Sequence, residues 1–230
     1  MLKIILLFIA SLLNLALGLF IILKNYKNKI NIYYGLILLG AFFWSLGMSL
    51  IQVIDNVDIL NTVVERIIYI PAFLIPLFYL LFSVHFPYKV KSFFEKILSL
   101  YIVASVIFTL LVIMGVINPE IYSLENGVIA QSSNNLDYLI FTIYYLVFVL
   151  SSIFILFRKY VSSAGVIRKQ LIYIILASSL SFIFALIVSI ILPILNNFQF
   201  DWLGPLFTLI NFFIIGYFVI KSEIDFKLIR

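Results

Sequence analysis

The chain has 230 residues, of which 65% are hydrophobic and only 11% are charged, and its mean hydropathy is +1.23. A soluble domain is about 45–50% apolar and about a quarter charged, so this composition excludes a water-soluble fold and indicates a multi-pass protein of the cell membrane. The absence of cysteine excludes disulfides and thiolate metal sites.

Seven apolar stretches are long enough to cross a bilayer as helices, because a hydrocarbon core about 30 Å thick requires about 20 residues. The first stretch is longer than the h-region of about 7–15 residues that a signal peptide has, so it counts as a span. The composition and spacing therefore predict an all-α bundle of seven transmembrane helices. In chain order the predicted spans are 2–23, 32–54, 59–86, 97–117, 138–157, 171–195 and 203–220.

Lysine and arginine alternate from side to side along this topology. All but two of the 15 Lys and Arg residues, the exceptions being Lys3 and Arg66, fall in the first, third and fifth gaps or in the C-terminal tail. The second, fourth and sixth gaps carry acidic residues instead. Cytoplasmic loops collect Lys and Arg, so the pattern predicts an outer N-terminus and a cytoplasmic C-terminus. It also accounts for the net charge of +5 without nucleic acid.

Glu65 and Arg66 stand near the outer end of the third span. One interpretation is structural: Arg66 extends to lipid phosphates and Glu65 faces water. The other is a polar pocket near the outer face, because neighbouring helical residues point about 100° apart and cannot pair with each other. In such a pocket Glu65 would reach Tyr69, and Arg66 would meet an acidic residue from another outer helix end, namely Asp58, Asp137 or Asp201.

Two prolines follow in the same span. Pro71 and Pro76 lack an N–H, which frees the carbonyl groups of Ile67 and Ala72 from the helix ladder. Kinks beside a charged pair suit a ligand pocket or a movable joint, and they also suit ordinary membrane packing. His85, at the inner end of the span, is interpreted as an interfacial residue, since the sequence has no second histidine to complete a metal site.

Small residues recur every four positions on three of the spans, which lets helix backbones approach closely in lipid. Asn211, midway along the seventh span, is predicted to hydrogen-bond a neighbouring helix. The fourth loop contains Asn126 and Gly127 between two short stretches, the turn chemistry of a β-hairpin, so a two-stranded flap is predicted there. The small-residue stripes are Ala10, Asn14 and Gly18; Ala41, Ser45 and Ser49; and Ala177, Ser181, Ala185 and Ser189.

The residues give no positive case for catalysis or for a cofactor. The single histidine cannot form an H-E-x-x-H zinc site, and a G-x-S-x-G elbow, a Walker motif and a dinucleotide fingerprint are absent. A lipid-modifying enzyme lacks its His or Asp cluster. A small transporter or permease subunit is the alternative to a receptor, and it requires a polar path across the midplane. The candidates for that path are Asn14, Tyr144, Tyr145, Thr208 and Asn211.

Four stretches carry motifs whose order and spacing are characteristic. They are AFFWSLG at 41–47, ERIIYIPAFLIPLFYLLFSVHFP at 65–87, IRKQLIYIILA at 167–177 and LPILNNFQFDWLGPLFTLINFFIIGYFVIKSEIDF at 192–226. Together they resemble the N-terminal seven-helix sensor region of bacterial histidine kinases, across nearly the whole chain. The resemblance implies a bilayer-embedded receptor of a two-component system that signals to a cytoplasmic kinase, works as a dimer and binds no nucleic acid. It does not identify the ligand.

The resemblance divides the chain into a sensor domain, residues 1–220, and the start of a cytoplasmic exit helix, residues 221–230. The chain is expected not to be an enzyme, because the sequence around His85 does not match a phosphoacceptor box and its 230 residues include no ATP-binding half. The kinase would then act in cis or in trans. Ile220, Ile224 and Leu228 recur every four residues, which fits the beginning of a coiled coil or a helix lying on the inner lipid surface.

The leading hypothesis is a sensor in which a ligand or a membrane condition selects between two packings of the bundle, and the seventh helix carries the difference inward. The predicted ligand-binding or switch residues are Glu65, Arg66, Tyr69, Pro71, Pro76, Asp201 and Trp202.

The alternation of charge predicts where reporters fused to this chain become active. A reporter that is active only outside the cell should work at the N-terminus and at residue 126, and a cytoplasmic reporter should work after residue 220, because the intervening spans are odd in number. Activity of one reporter type at both chain ends would contradict the seven-span topology.

Overall fold

The structure is a computed structural model that describes residues 2–89, 93–125 and 128–228. Within these residues the predicted all-α bundle of seven helices is confirmed, and six of the helices are long and apolar enough to span a membrane, with a shorter apolar stretch, Leu98–Ile113, in the remaining one. The elements are α1 (Leu2–Lys24), α2 (Lys29–Ile51), α3 (Val57–His85), α4 (Phe93–Ile113), β1 (Glu120–Glu125), β2 (Val128–Ser133), α5 (Asn135–Ser162), α6 (Gly165–Ile194) and α7 (Gly204–Leu228).

The structure tests two predictions around the fourth loop, namely where the fourth span ends and whether a hairpin follows it. The fourth span was expected to reach residue 117, but α4 ends at Ile113, and Gly115 takes a left-handed φ of 69° that turns the chain toward the strands. The predicted hairpin is confirmed: β1 and β2 pair antiparallel from Glu120–Ser133 to Glu125–Val128. The turn residues Asn126 and Gly127, on which that prediction rested, lie outside the described residues.

The helices cross the bundle in alternating directions. At the end that carries β1 and β2, termed the hairpin end, the Lys3 ammonium lies 5.5 Å from the Trp202 ring centroid, and the Glu65 carboxyl contacts the start of β1. At the opposite end, the rings of Tyr33 and His85 lie 5.0 Å apart. The first, third and seventh helices therefore start at the hairpin end, which the charge pattern assigns to the outside.

Helix α2 packs between α1 and α3 through glycines. A Cβ atom on Gly35 would collide with the Ile22 side chain on α1, and one on Gly40 would come within 2.6 Å of Ile75 on α3. Such contacts exclude a larger residue, because the neighbouring atoms belong to packed helices. The close approach provides van der Waals contact where lipid supplies no hydrophobic driving force between helices.

Lys159 is buried at the opposite end, although the charge pattern had placed it in an inner loop. That placement is wrong because α5 continues to Ser162, and the Lys159 side chain is only 3% exposed. Its Nζ lies 2.6–2.8 Å from the carbonyl oxygens of Ser83, Val84, Phe86 and Tyr88, which share its three N–H donors. The last carbonyl groups of a helix have no partner within the helix, so this ammonium caps the C-terminus of α3, where a cation also complements the helix dipole.

Replacing Lys159 by methionine should lower the free energy of unfolding by roughly 2–4 kcal/mol, because several buried carbonyl groups lose a charged donor. Thermal unfolding in lipid nanodiscs measures the change. Lys169→Met is the matched control, since Lys169 is exposed on α6. Equal melting temperatures for the two variants would contradict the capping role.

Candidate functional site: an acidic cavity beneath the hairpin

A cavity of about 90 Å³ lies beneath the hairpin, with walls from α2, α3, α5, α6 and α7. Its polar groups at the hairpin end are Tyr69, Glu120, Tyr138, Ser189 and Asp201. Further along the same helices it is lined by Tyr79, Ser178, Thr208 and Asn211, among apolar and aromatic side chains. Tyr69 and Tyr79 are ten residues apart on α3, so the lining extends about 15 Å into the bundle.

Glu120, the first residue of β1, is the centre of a buried hydrogen-bond network. Its side chain is 2% exposed, and Oε2 accepts from Tyr122 Oη at 2.9 Å and from Gln131 Nε2 at 3.0 Å. Oε1 accepts from Tyr138 Oη at 3.2 Å, which in turn accepts from Tyr69 Oη at 3.3 Å. The hydrogen bonds the structure gives this carboxyl thus come from uncharged donors.

Burial raises the pKa of Glu120 above its ordinary value of 4.5, and the surrounding hydroxyl and amide donors oppose part of that rise. Burial also raises the pKa of Tyr122 well above its ordinary value, with the neighbouring Glu120 carboxyl as the second cause. The hairpin therefore presents a carboxyl that gains a proton more readily than one in water.

Two side chains of α3 fasten the hairpin over the cavity. Asn61 Nδ2 donates to the Tyr122 carbonyl at 2.9 Å, and Asn61 Oδ1 accepts from the Tyr122 N–H at 2.9 Å. Glu65 Oε1 accepts from the Glu120 N–H at 3.2 Å. Asn61 lies within the π-helical turn Leu60–Val64, a local irregularity that is common at functional sites.

The base of the hairpin is closed by Asp137 on α5. Its Oδ2 accepts from the Asn118 N–H at 2.8 Å and from Asn134 Nδ2 at 2.9 Å, and the Asn134 N–H donates to the Pro119 carbonyl at 2.8 Å. Asp137 therefore fixes the hairpin to α5, as Asn61 and Glu65 fix it to α3.

Asp201 forms the second acidic group of the cavity. It is 5% exposed and lies on a 3-10 turn, Asp201–Leu203, that leads into α7. Its carboxyl interacts electrostatically with Glu120 and lies beside Ser189. Ser189 belongs to a second π-helical turn, Ile187–Ile191. Across the residues that the structure describes, no Lys or Arg forms a salt bridge with Glu120 or Asp201.

The structure brings some of the predicted site residues together and separates others. Tyr69, Pro76 and Asp201 line the cavity, and Glu65 lies at its rim, where it holds the hairpin. Pro71 is buried in α3 without lining the cavity. Trp202 lies under Lys3 and also does not line the cavity, whereas Trp44 does.

Three expected contacts are not formed. Glu65 bonds the Glu120 backbone rather than Tyr69, whose hydroxyl donates to Tyr138. Arg66 forms no salt bridge with Asp58, Asp137 or Asp201 within the described chain, because its guanidinium lies over Gly115, with Nη2 3.6 Å from where a Cβ would stand. Asn211 is buried, but its Oδ1 has no hydrogen-bond partner among the described residues.

A carbonyl group between the two prolines accepts a hydrogen bond from a tyrosine of another helix. Helix α3 continues through Pro71 and Pro76, and the hydroxyl of Tyr144 on α5 donates to the Phe73 carbonyl at 2.6 Å. This carbonyl follows directly after Ala72, whose own carbonyl was expected to be freed. The segment between the two prolines is thus tied to α5.

Sequence reasoning missed Glu120, which it treated as a loop carboxyl. A signal was present: in a strand, residues two apart share a face, so Glu120 and Tyr122 point the same way. The observed register sets Gln131 opposite Tyr122. Tyr138 and Trp44 could not be assigned to the site, because their places depend on which helices are neighbours.

The comparisons with known proteins agree with this architecture. Residues 6–224 match the family model described as the N-terminal 7TM region of histidine kinase. The chain belongs to this family. A comparison with functionally curated proteins gave no match. Membership of this family identifies the chain as a membrane sensor region of a histidine kinase, and it confirms the resemblance seen in the sequence.

The raised pKa of Glu120 predicts the pH dependence of stability. The folded protein holds this proton more tightly than the unfolded chain, so the stability that it contributes is complete at low pH and is lost as the pH rises from 4.5 through the folded-state pKa. Melting temperatures of the 7TM region in nanodiscs at about pH 5 and about pH 8 should therefore fall with pH, and Glu120→Gln should reduce the slope.

Glu125→Gln is the matched control for that series, since Glu125 is exposed on the same strand. A Glu120→Gln variant with the full wild-type slope would assign the pH dependence to other carboxyl groups.

Proposed function

We propose that this 7TM region is a receptor that transmits occupancy of the cavity to a cytoplasmic histidine kinase through α7. One observation carries the proposal: α7 forms part of the cavity wall with Thr208, Asn211 and Phe212, and the same helix continues to Leu228. A ligand in the cavity would therefore touch the element that leads to the output.

Helix α7 is packed against α6 over the depth of the cavity. The Ser181 hydroxyl donates to the Phe207 carbonyl at 3.4 Å, and the rings of Phe184 and Phe207 stack 4.7 Å apart. A ligand shifts an equilibrium between two packings only if it binds them with different affinity. A group seated between α6 and α7 meets that condition whenever their spacing differs between the two packings.

The opposite half of the bundle supports a receptor rather than a transporter. Phe82, Phe86, Leu156 and Leu171 are fully buried there and pack with Tyr79 in one apolar cluster. A permease needs a polar path through the same region. Of the residues considered for such a path, Thr208, Asn211 and Tyr145 line the cavity.

The remaining parts of the signalling hypothesis follow from the family. We infer that the region works as a dimer and that the kinase acts in cis or in trans. Residues 221–230 are assigned to the exit helix, which agrees with the helical backbone up to Leu228. The stripe of Ile224 and Leu228 falls on side chains outside the described part of the chain.

Filling the cavity should change the output of a chimera between this region and a histidine kinase core. Ala185 lines the cavity and is buried on α6, so Ala185→Leu adds volume between α6 and α7. We expect a several-fold change in basal autophosphorylation in isolated membranes, because a shift of about 1 kcal/mol between two packings changes their ratio about fivefold.

Leu180→Phe on the same helix is the matched control, since Leu180 is 59% exposed and faces away from the bundle. It should leave the output unchanged. An Ala185→Leu chimera with wild-type output and normal expression would disprove the proposed coupling of the cavity to the kinase.

A further inference from the structure

We infer, on the basis of the proposed function, that the cavity binds a small organic ammonium ion with an apolar chain that ends in a hydrogen-bonding group, as in an amino alcohol. Three features of the described residues carry this inference: two buried carboxyl groups without a basic partner, a corner of aromatic rings beside them, and buried polar atoms without well-formed hydrogen bonds at the far end of the cavity.

The carboxyl groups of Glu120 and Asp201 share the hairpin end of the cavity. Both are buried, Glu120 acts electrostatically on Asp201, and the described chain supplies neither with a salt bridge. The tyrosines that act on them directly, Tyr69, Tyr122 and Tyr138, are acids. Glu65 lies at the rim, within electrostatic reach of Glu120, Asp137 and Arg66. A buried pair of carboxyl groups is compensated by protons or by a cation.

Aromatic rings stand next to these carboxyl groups. Tyr69, Tyr138 and Phe141 line the cavity, and their rings are nearly perpendicular in all three pairs, at 84°, 87° and 87°, with centroids 5.5–6.5 Å apart. The Trp44 ring belongs to the same lining. Ring faces attract organic ammonium ions, and sets of such rings recur in sites that recognise them. A cation that carries carbon groups fits this corner better than a hydrated metal ion does.

Metal binding has less support from the same residues. Among the residues that the structure describes, no group of three or more His, Cys, Asp or Glu side chains is placed to hold a metal ion. Calcium takes about 6–8 oxygen ligands and magnesium requires a nearly octahedral set. Two carboxyl groups among phenol rings do not supply these.

The far end of the cavity contains buried polar atoms that lack well-formed hydrogen bonds. Ser178 is 4% exposed and Asn211 is 8% exposed, both line the cavity, and Asn211 Oδ1 has no partner among the described residues. Ser178 Oγ and the Tyr79 hydroxyl lie beside each other, and neither forms a well-aligned hydrogen bond within the described structure. Buried polar groups are normally paired, so a ligand that reaches this depth gains by carrying a donor or acceptor there.

The stretch between the two ends is apolar. Ile68, Ala72, Ile75, Val149 and Phe212 line it, and the ends lie about 15 Å apart along α3. A short alkyl chain buries its surface there without leaving a polar group unpaired.

Three probes of the same length test the charge. They are 6-aminohexan-1-ol, 1,6-hexanediol and 6-hydroxyhexanoate, which differ only at the end that would meet Glu120 and Asp201. Binding is followed in nanodiscs by the fluorescence of Trp44 in the full chain carrying Trp202→Phe, which leaves one tryptophan of the two. We expect the amine to bind at least about tenfold more tightly than the diol and the carboxylate, as a charge-assisted hydrogen bond provides.

Glu120→Gln and Asp201→Asn should each weaken amine binding about tenfold or more and leave diol binding within about twofold. The diol thus reports whether a variant keeps the folded cavity. If a variant does not fold, the order of the affinities of the three probes for the chain with both Glu120 and Asp201 intact still tests the inference. Equal affinity for amine and diol, or no binding of the amine, would overturn the inference.

The outcome is separable from that of the proposed function. If the region binds the amine but its kinase chimera responds neither to the amine nor to Ala185→Leu, the ligand class is retained and the signalling role is rejected. A chimera that responds to Ala185→Leu and to external pH, with a chain that binds no probe, would retain the signalling role. In that case protons compensate the carboxyl groups, and the ammonium inference is wrong.

Discussion

Every backbone N–H and C=O group of this protein that lies in lipid must be hydrogen-bonded without the help of water. This requirement restricts the spans to helices. The ends and irregular turns of those helices then need partners from elsewhere. Lys159 supplies one for the last carbonyl groups of α3. Asn61 and Glu65 do the same for the first strand of the hairpin.

The same constraint explains how a carboxyl group comes to lie in the cavity. Strand β1 is attached to α3 by hydrogen bonds to its backbone at Glu120 and Tyr122, and alternation along the strand directs both side chains to the bundle. Tyrosine hydroxyl groups then satisfy Glu120 without neutralising it. The cavity is thus bordered by a fixed acidic group on the hairpin, Glu120, and by α6 and α7.

The site was only partly predictable from sequence. Tyr69 and Asp201 were predicted as partners of Glu65 and Arg66, and Pro76 as a kink beside that charged pair, and all three line the cavity. Arg66 was predicted as part of the same pocket, yet its long side chain lies over the turn at Gly115. Asn211 was expected to pair with a helix, but in the described structure its Oδ1 faces the cavity unpaired. Residue type identified these positions, whereas side-chain direction depended on neighbours far apart in the chain.

The membrane class, the seven helices, the hairpin and the family were all predictable from the amino-acid sequence, since each follows from local composition, periodicity and motif order that bilayer thickness and turn geometry constrain directly. The meeting of Glu120, Tyr138 and Asp201 in one cavity and the capping of α3 by Lys159 became visible in the folded structure alone. These contacts join residues from 18 positions apart, as for Glu120 and Tyr138, to 81 positions apart, as for Glu120 and Asp201, and they depend on which helices pack side by side. Hydropathy gives each helix a place in the membrane but does not select its neighbours, because lipid is as apolar as the helix surfaces it covers.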